Sequence, residues 1–153
     1  MENNMITALY CRTAQACDMG IEVQKNMLLQ CAKEHGYCNI VVYCDNGYSG
    51  SNYDRPAFQE MMSAVEQGNV VCVIVKDISR ISRNYLHFGK WLDDMHSRNI
   101  GVIAVNDSLN SESYYAQNVS LFEAIEKYYK ESHSQKIKNG IAHARRQKLG
   151  CAK

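Results

Sequence analysis

Val70-Val71-Cys72-Val73-Ile74-Val75 runs directly into Lys76-Asp77-Ile78-Ser79-Arg80-Ile81-Ser82-Arg83-Asn84, and this junction decides the fold. The first six residues are apolar and mostly β-branched, which describes a buried strand. Arg80 and Arg83 stand one helical turn apart just past its carboxyl end. Ligands of open α/β sheets collect outside those ends. A guanidinium there is a permanently charged fork matched to phosphate oxygens. Taken alone, the stretch also reads as a solvated basic turn ahead of a helix.

Working outward, strands are expected over residues 5–11, 40–44 and 100–105 as well as 70–75. Helices are expected over 21–35, with Val23, Met27, Leu28, Cys31 and Ala32 on the inner face, over 55–66, and over 84–98. Gly36 and Gly68 stand where the first two should stop, and Pro56, the only proline, opens the second. Strands alternating with helices of ~10–15 residues predict an α/β fold with a mainly parallel sheet of four to five strands flanked by helices. Residues 1–112 form this expected core. From 113 to about 150 helix-compatible sequence continues for ~54 Å at 1.5 Å per residue. Its first half is apolar and aromatic (Tyr128 and Tyr129 included) and its second half basic, with Gly140 the place where it would break in two. A helix that long cannot bury itself on its own body, so it calls for a partner protomer, a ligand such as DNA, or both.

Composition narrows the class. Hydrophobic residues make up 46% and charged residues 22% of the 153, which describes one globular domain of ordinary size. No apolar run approaches a bilayer span, and Met1-Glu2-Asn3-Asn4 is no secretory signal, so no membrane is expected as partner. The seven cysteines form no C-x-x-C, which suits a reducing cytoplasm and predicts neither disulfides nor a metal site. The five histidines are scattered with no motif partner and read as surface or capping residues. The net charge of +1 hides an asymmetry. Lys136, Lys138, Arg145, Arg146, Lys148 and Lys153 lie in the last 22 residues with no acid among them, leaving a net −5 on the rest. A basic tail on an acidic body predicts a polyanionic partner, with DNA the first candidate.

The strand ends can now be compared. The first delivers Arg12, the second Asp45 and Ser49 with Arg55 beyond, and the third Lys76, Arg80 and Arg83. Four arginines from three segments call for a multivalent anion, most simply a phosphodiester whose developing charge they stabilise. Neither G-x-x-x-x-G-K-[ST] nor G-x-G-x-x-G occurs, so nucleotide cradling is unsupported. With no carboxylate cluster for two metals, metal-free phosphoryl transfer by a side-chain nucleophile is what remains, and no cofactor is expected. Lys76 and Asp77 read as a structural pair, and Ser49 as a loop hydrogen-bonder.

Tyr10-Cys11-Arg12-Thr13, Gln24, Asp45-Asn46-Gly47-Tyr48-Ser49-Gly50, Arg55-Pro56-Ala57-Phe58, the Val75–Asn84 segment and Ser134-Gln135-Lys136-Ile137-Lys138 together resemble the catalytic domain of the serine recombinases, the resolvase–invertase family. The likeness is strongest to the large serine recombinases of mobile elements, and it covers essentially the whole chain in the family's order. It implies that Arg12, Arg55, Arg80 and Arg83 surround a scissile DNA phosphate, with Gln24 near the active loop. It also implies a long terminal helix that makes a homodimer and crosses DNA, and a tetramer at synapsis. In the family a serine two residues after the strand-one arginine attacks the phosphate and forms a covalent phosphoserine link. Here that position is Ala14. Three readings stay open: a non-catalytic relative, a serine replaced to stop cleavage, or a turn one residue out of register with a substitute hydroxyl. Thr13 is a poor substitute, because side chains alternate along a strand. The chain also stops at Gly150-Cys151-Ala152-Lys153, where family members continue into a DNA-binding domain, so base readout is expected to be missing. The competing functional readings are a regulator that hetero-oligomerises with an active recombinase and, more remotely, a flavodoxin-like binder of a small molecule.

Overall fold

In the computed structural model, which describes residues 4–107, 109–111 and 130, the chain alternates strand and helix throughout the expected core. The elements are β1 (Ile6–Thr13), α1 (Asp18–Glu34), β2 (Ile40–Asn46), α2 (Pro56–Glu66), β3 (Val70–Val75), a 3-10 turn (Ile78–Arg80), α3 (Tyr85–Ser97), β4 (Gly101–Ala104) and β5 (Leu109–Asn110). The sheet order is β2-β1-β3-β4-β5. β1 to β4 are parallel, and the two-residue β5 closes the edge antiparallel to β4. The chain steps from β1 to β2 on one side and returns to β3 on the other, so the strand order reverses at β1. The carboxyl ends of β1 and β3 lie side by side at this reversal, which is where such sheets place their sites.

Right-handed crossovers of opposite direction put α1 on one face of the sheet and α2 on the other. Side-chain alternation along β1 follows: Leu9 and Cys11 pack with Leu28, Cys31 and Ala32 of α1, whereas the Tyr10 ring meets Phe58 of α2 edge-on at 5.6 Å. Gly36 and Gly68 both take φ of +74° just past α1 and α2, the left-handed conformation that ends a helix cheaply at glycine. α3 begins on Asn84, whose side-chain oxygen accepts from the Leu86 and His87 amides at 2.9 and 3.4 Å.

Two expectations need correction. α1 starts at Asp18, three residues early, and buries Ile21, Gln24, Leu28, Cys31 and Ala32. Val23 is 54% exposed instead of inward, and Gln24 takes the inner position because its amide is fully engaged by the main chain of β1. Asp77 does not pair with Lys76; its carboxylate lies 3.4 Å from Arg80 Nε and accepts from the Ser79 hydroxyl. Neighbours in extended backbone point opposite ways, and Asp77 is extended, at φ −151°. Residues 113–129 and 131–150, and with them the long helix, the dimer it implies and the basic residues Lys136, Lys138, Arg145, Arg146 and Lys148, lie outside the described residues. Among the described residues, no helix is long and apolar enough to cross a membrane.

Candidate active site

The edge beyond β1 and β3 is built around a buried arginine. Arg12 is only 1% exposed. Its guanidinium donates to three main-chain carbonyls: Tyr48 at 2.8 Å, Ser79 at 2.8 Å and Arg80 at 3.2 Å. Gln24 clamps the same residue from α1, accepting from the Arg12 amide at 3.1 Å and donating to its carbonyl at 3.0 Å. Arg80 reaches back and donates to that carbonyl at 2.7 Å. Burial, and after it the neighbouring cations Arg55 and Arg80, pull the Arg12 guanidinium down to about 10, so it remains charged at neutral pH.

Arg55 forms a second buried centre. It donates to the carbonyls of Asn52 at 3.0 Å and Arg80 at 2.6 Å, to the Tyr10 hydroxyl at 2.9 Å, and to the Ile81 carbonyl. Three rings surround it, with Phe58 nearest at 4.5 Å to the centroid. The Tyr10 hydroxyl in turn donates to Asp45 at 2.7 Å, and the Asp45 carboxylate caps α2 by accepting from the Ala57 and Phe58 amides, both at 2.9 Å. Burial, reinforced by the hydrogen bond to Asp45, raises the Tyr10 phenol well above its usual range, so it stays a donor.

The expected residues therefore fall into layers. Arg12, Gln24, Asp45 and Arg55 are buried. Lys76 and Arg80 are half-buried, and Arg83 and Ala14 are exposed. Arg12 and Arg55 meet on the carbonyls of the 79–81 turn, Arg80 of that turn reaches back to the Arg12 carbonyl, and Arg83 joins through its amide, which donates to the Gly50 carbonyl at 3.1 Å. Ser49 is exposed and bonds Ser51 through its hydroxyl at 2.8 Å, as a loop residue would. Thr13 points away from Arg12, its hydroxyl committed to Asn46 at 2.8 Å. The structure adds Tyr10, Asn46 and Gly50 to the site. Tyr10 is detectable as the residue on the same strand side as Arg12; Gly50 ends the Asp45–Gly50 stretch that carries the family resemblance, but its spacing alone assigns it no role. A Cβ at Gly50 would stand 2.7 Å from Arg12 Nη2 and 3.1 Å from the Ser79 carbonyl. A Gly50→Ala variant is therefore expected to lose about 1–3 kcal/mol of stability in urea unfolding, and an unchanged midpoint would show that Arg12 can move aside. Among the described residues, no three His, Cys, Asp or Glu side chains gather as a metal site would require.

A parallel sheet ordered this way, with arginines gathered at its reversal point, defines a resolvase-like α/β catalytic domain. The family model Resolvase, N terminal domain, matches residues 7–149, and the chain belongs to that family, the catalytic domains of serine recombinases. It is 30% identical over 119 residues to the Bacillus subtilis (strain 168) protein named "Putative DNA recombinase"; the match covers 78% of this chain and 23% of that relative's length. Among solved structures it is similar to a resolvase family site-specific recombinase from Streptococcus pneumoniae, at 28% identity and a TM-score of 0.66, covering 92% of this chain and 99% of that one. The N-terminal catalytic domain of TP901-1 integrase shares the fold at a TM-score of 0.70 and 24% identity, covering 84% of this chain and 98% of that one.

Proposed function

We propose that this chain is a serine-recombinase catalytic domain that engages DNA phosphate at the Arg12–Arg80–Arg83 edge and, with Ala14 in the nucleophile position, does not cleave it. The observation that carries this reading is the layering of cations at one sheet edge, with a bare methyl on the exposed turn beside it. Arg83 and Arg80 meet a phosphodiester from solvent. Arg12 sits behind them as a fixed, desolvated positive charge, which acts more strongly there than in water. Arg55 contributes by holding the 79–81 turn, and Asp45, through α2 and Tyr10, holds Arg55. Attack on phosphorus needs a nucleophilic atom, and the Ala14 methyl offers none. Lys136, Lys138, Arg145, Arg146 and Lys148 extend the phosphate contacts, and residues 113–150 make the homodimer and, at synapsis, the tetramer.

Ala14 also favours a second reading, in which the chain joins an active recombinase and regulates it without chemistry. The first reading requires an electrostatic contact with DNA phosphate. Affinity for a short duplex, measured by fluorescence anisotropy, should fall linearly with salt on logarithmic axes, and Arg83→Ala should reduce the slope by about one. A slope near zero, or one that Arg83→Ala leaves untouched, would remove DNA phosphate as the ligand of this edge.

A further inference from the structure

Ala14 rides on the turn 13–17, and one side chain ties both ends of that turn. Asn46, at the end of β2, stands opposite Thr13 in the β1–β2 register. Its Oδ1 accepts from the Thr13 hydroxyl and from the Cys17 amide, each at 2.8 Å. Its Nδ2 donates to Asp18 Oδ1, also at 2.8 Å. The Gly47 and Tyr48 amides complete the tie by donating to the Thr13 carbonyl at 2.9 Å each. The helix's own cap is weak: its N-cap is Cys17, whose sulfur accepts from the Gly20 amide at 3.3 Å, and sulfur is a weak acceptor.

We infer that Asn46 is a positioning residue: it fixes the turn that carries position 14 between Arg12 and the first turn of α1, without touching the phosphate. The inference rests on the reading that position 14 faces the scissile phosphate, and it goes beyond it by assigning the residue that sets that position. The chemistry selects asparagine. Two bonds need an acceptor and the third a donor, and an amide supplies both, whereas a carboxylate supplies only acceptors and would face Asp18 with like charge.

The experiment is amide exchange followed by mass spectrometry, with an adduct assay alongside. Asn46→Ala should speed exchange across residues 14–18 by about tenfold or more, the scale of losing two or three hydrogen bonds, while β3 and β4 stay as protected as before. Asn46→Asp should do the same. Combining Asn46→Asp with Asp18→Asn returns a donor to face the carboxylate, and should restore slow exchange. In an Ala14→Ser background, on supercoiled DNA carrying the flanks of the protein's own gene, Asn46→Ala should lower the rate of covalent adduct formation by about 10²-fold, as small displacements of reacting groups do. DNA affinity should be unchanged, and the paired exchange of residues 46 and 18 should recover the rate. Unchanged exchange in Asn46→Ala, a rise spread evenly over the sheet, or no recovery in the paired variant would overturn the inference. If Ala14→Ser itself gives no adduct, the nucleophile reading fails, and the exchange data still decide separately whether Asn46 holds the turn.

Discussion

An Ala14→Ser variant is expected to become covalently attached to DNA where the parent chain forms no attachment at all. Loss of a side-chain nucleophile costs on the order of 10⁶ in turnover, equivalent to about 8 kcal/mol of barrier, so the contrast on a denaturing gel should be all or nothing. The fold offers no obstacle to the substitution. Position 14 is exposed on a bend after β1, and exposed substitutions of this kind usually stay within about 0.5 kcal/mol. The cations that would stabilise the attacked phosphate are already in place, with Arg80 bonded to the Arg12 carbonyl two residues before the new hydroxyl. The assay uses supercoiled DNA with the gene's own flanks, quenched in denaturant. If the variant binds this DNA and still leaves no adduct, the silence of the chain is not the work of one missing oxygen. The regulatory reading then becomes the stronger.

Replacing Arg55 by methionine should cost about 3–5 kcal/mol of stability, a large share of what a domain of this size possesses. The side chain is wholly buried and donates to the carbonyls of Asn52, Arg80 and Ile81 and to the Tyr10 hydroxyl; of these the Arg80 carbonyl keeps Arg12 Nε and the Tyr10 hydroxyl keeps Asp45, so the Asn52 and Ile81 carbonyls lose most. Each buried acceptor left without a donor costs about 1–3 kcal/mol. Methionine keeps much of the volume, so the loss reports the donors more than the packing. Arg55→Lys should recover little, since one ammonium cannot reproduce a planar fork aimed at carbonyls in separate segments. Urea unfolding with an unchanged m-value is the measurement. A loss below about 1 kcal/mol would mean that water replaces these bonds easily, leaving Arg55 free to swing out and contact phosphate directly.

The two experiments separate arginines that the sequence cannot tell apart. In the sequence Arg12, Arg55, Arg80 and Arg83 are equivalent charges near strand ends. In the structure Arg12 and Arg55 turn inward onto the protein's own carbonyls, while Arg83 faces solvent and Arg80 stands between. Their partners lie far along the chain, Arg12 and Ser79 being 67 residues apart, so no local pattern announces them. The role of Asn46 is hidden in the sequence for the same reason. The Asn-Gly pair marks a turn, but that its amide reaches back to Thr13, Cys17 and Asp18 depends on β1 and β2 lying side by side. Val23 was misplaced because helical spacing assigns the inner face to apolar residues, and the burial of Gln24 depends on a hydrogen-bond partner outside the helix.

Hydrophobic periodicity and glycine punctuation were sufficient by themselves to determine the strand–helix alternation, the parallel sheet and the edge at which the cations gather. These follow from local rules, namely which faces must leave water and where the chain can turn. Which of those cations face solvent, and which are held as struts beneath the surface, was decided only by tertiary structure. A guanidinium takes whatever acceptors are nearest and driest. Here those are the carbonyls of the 48–52 and 79–81 segments, which meet only once the sheet has brought its carboxyl ends together.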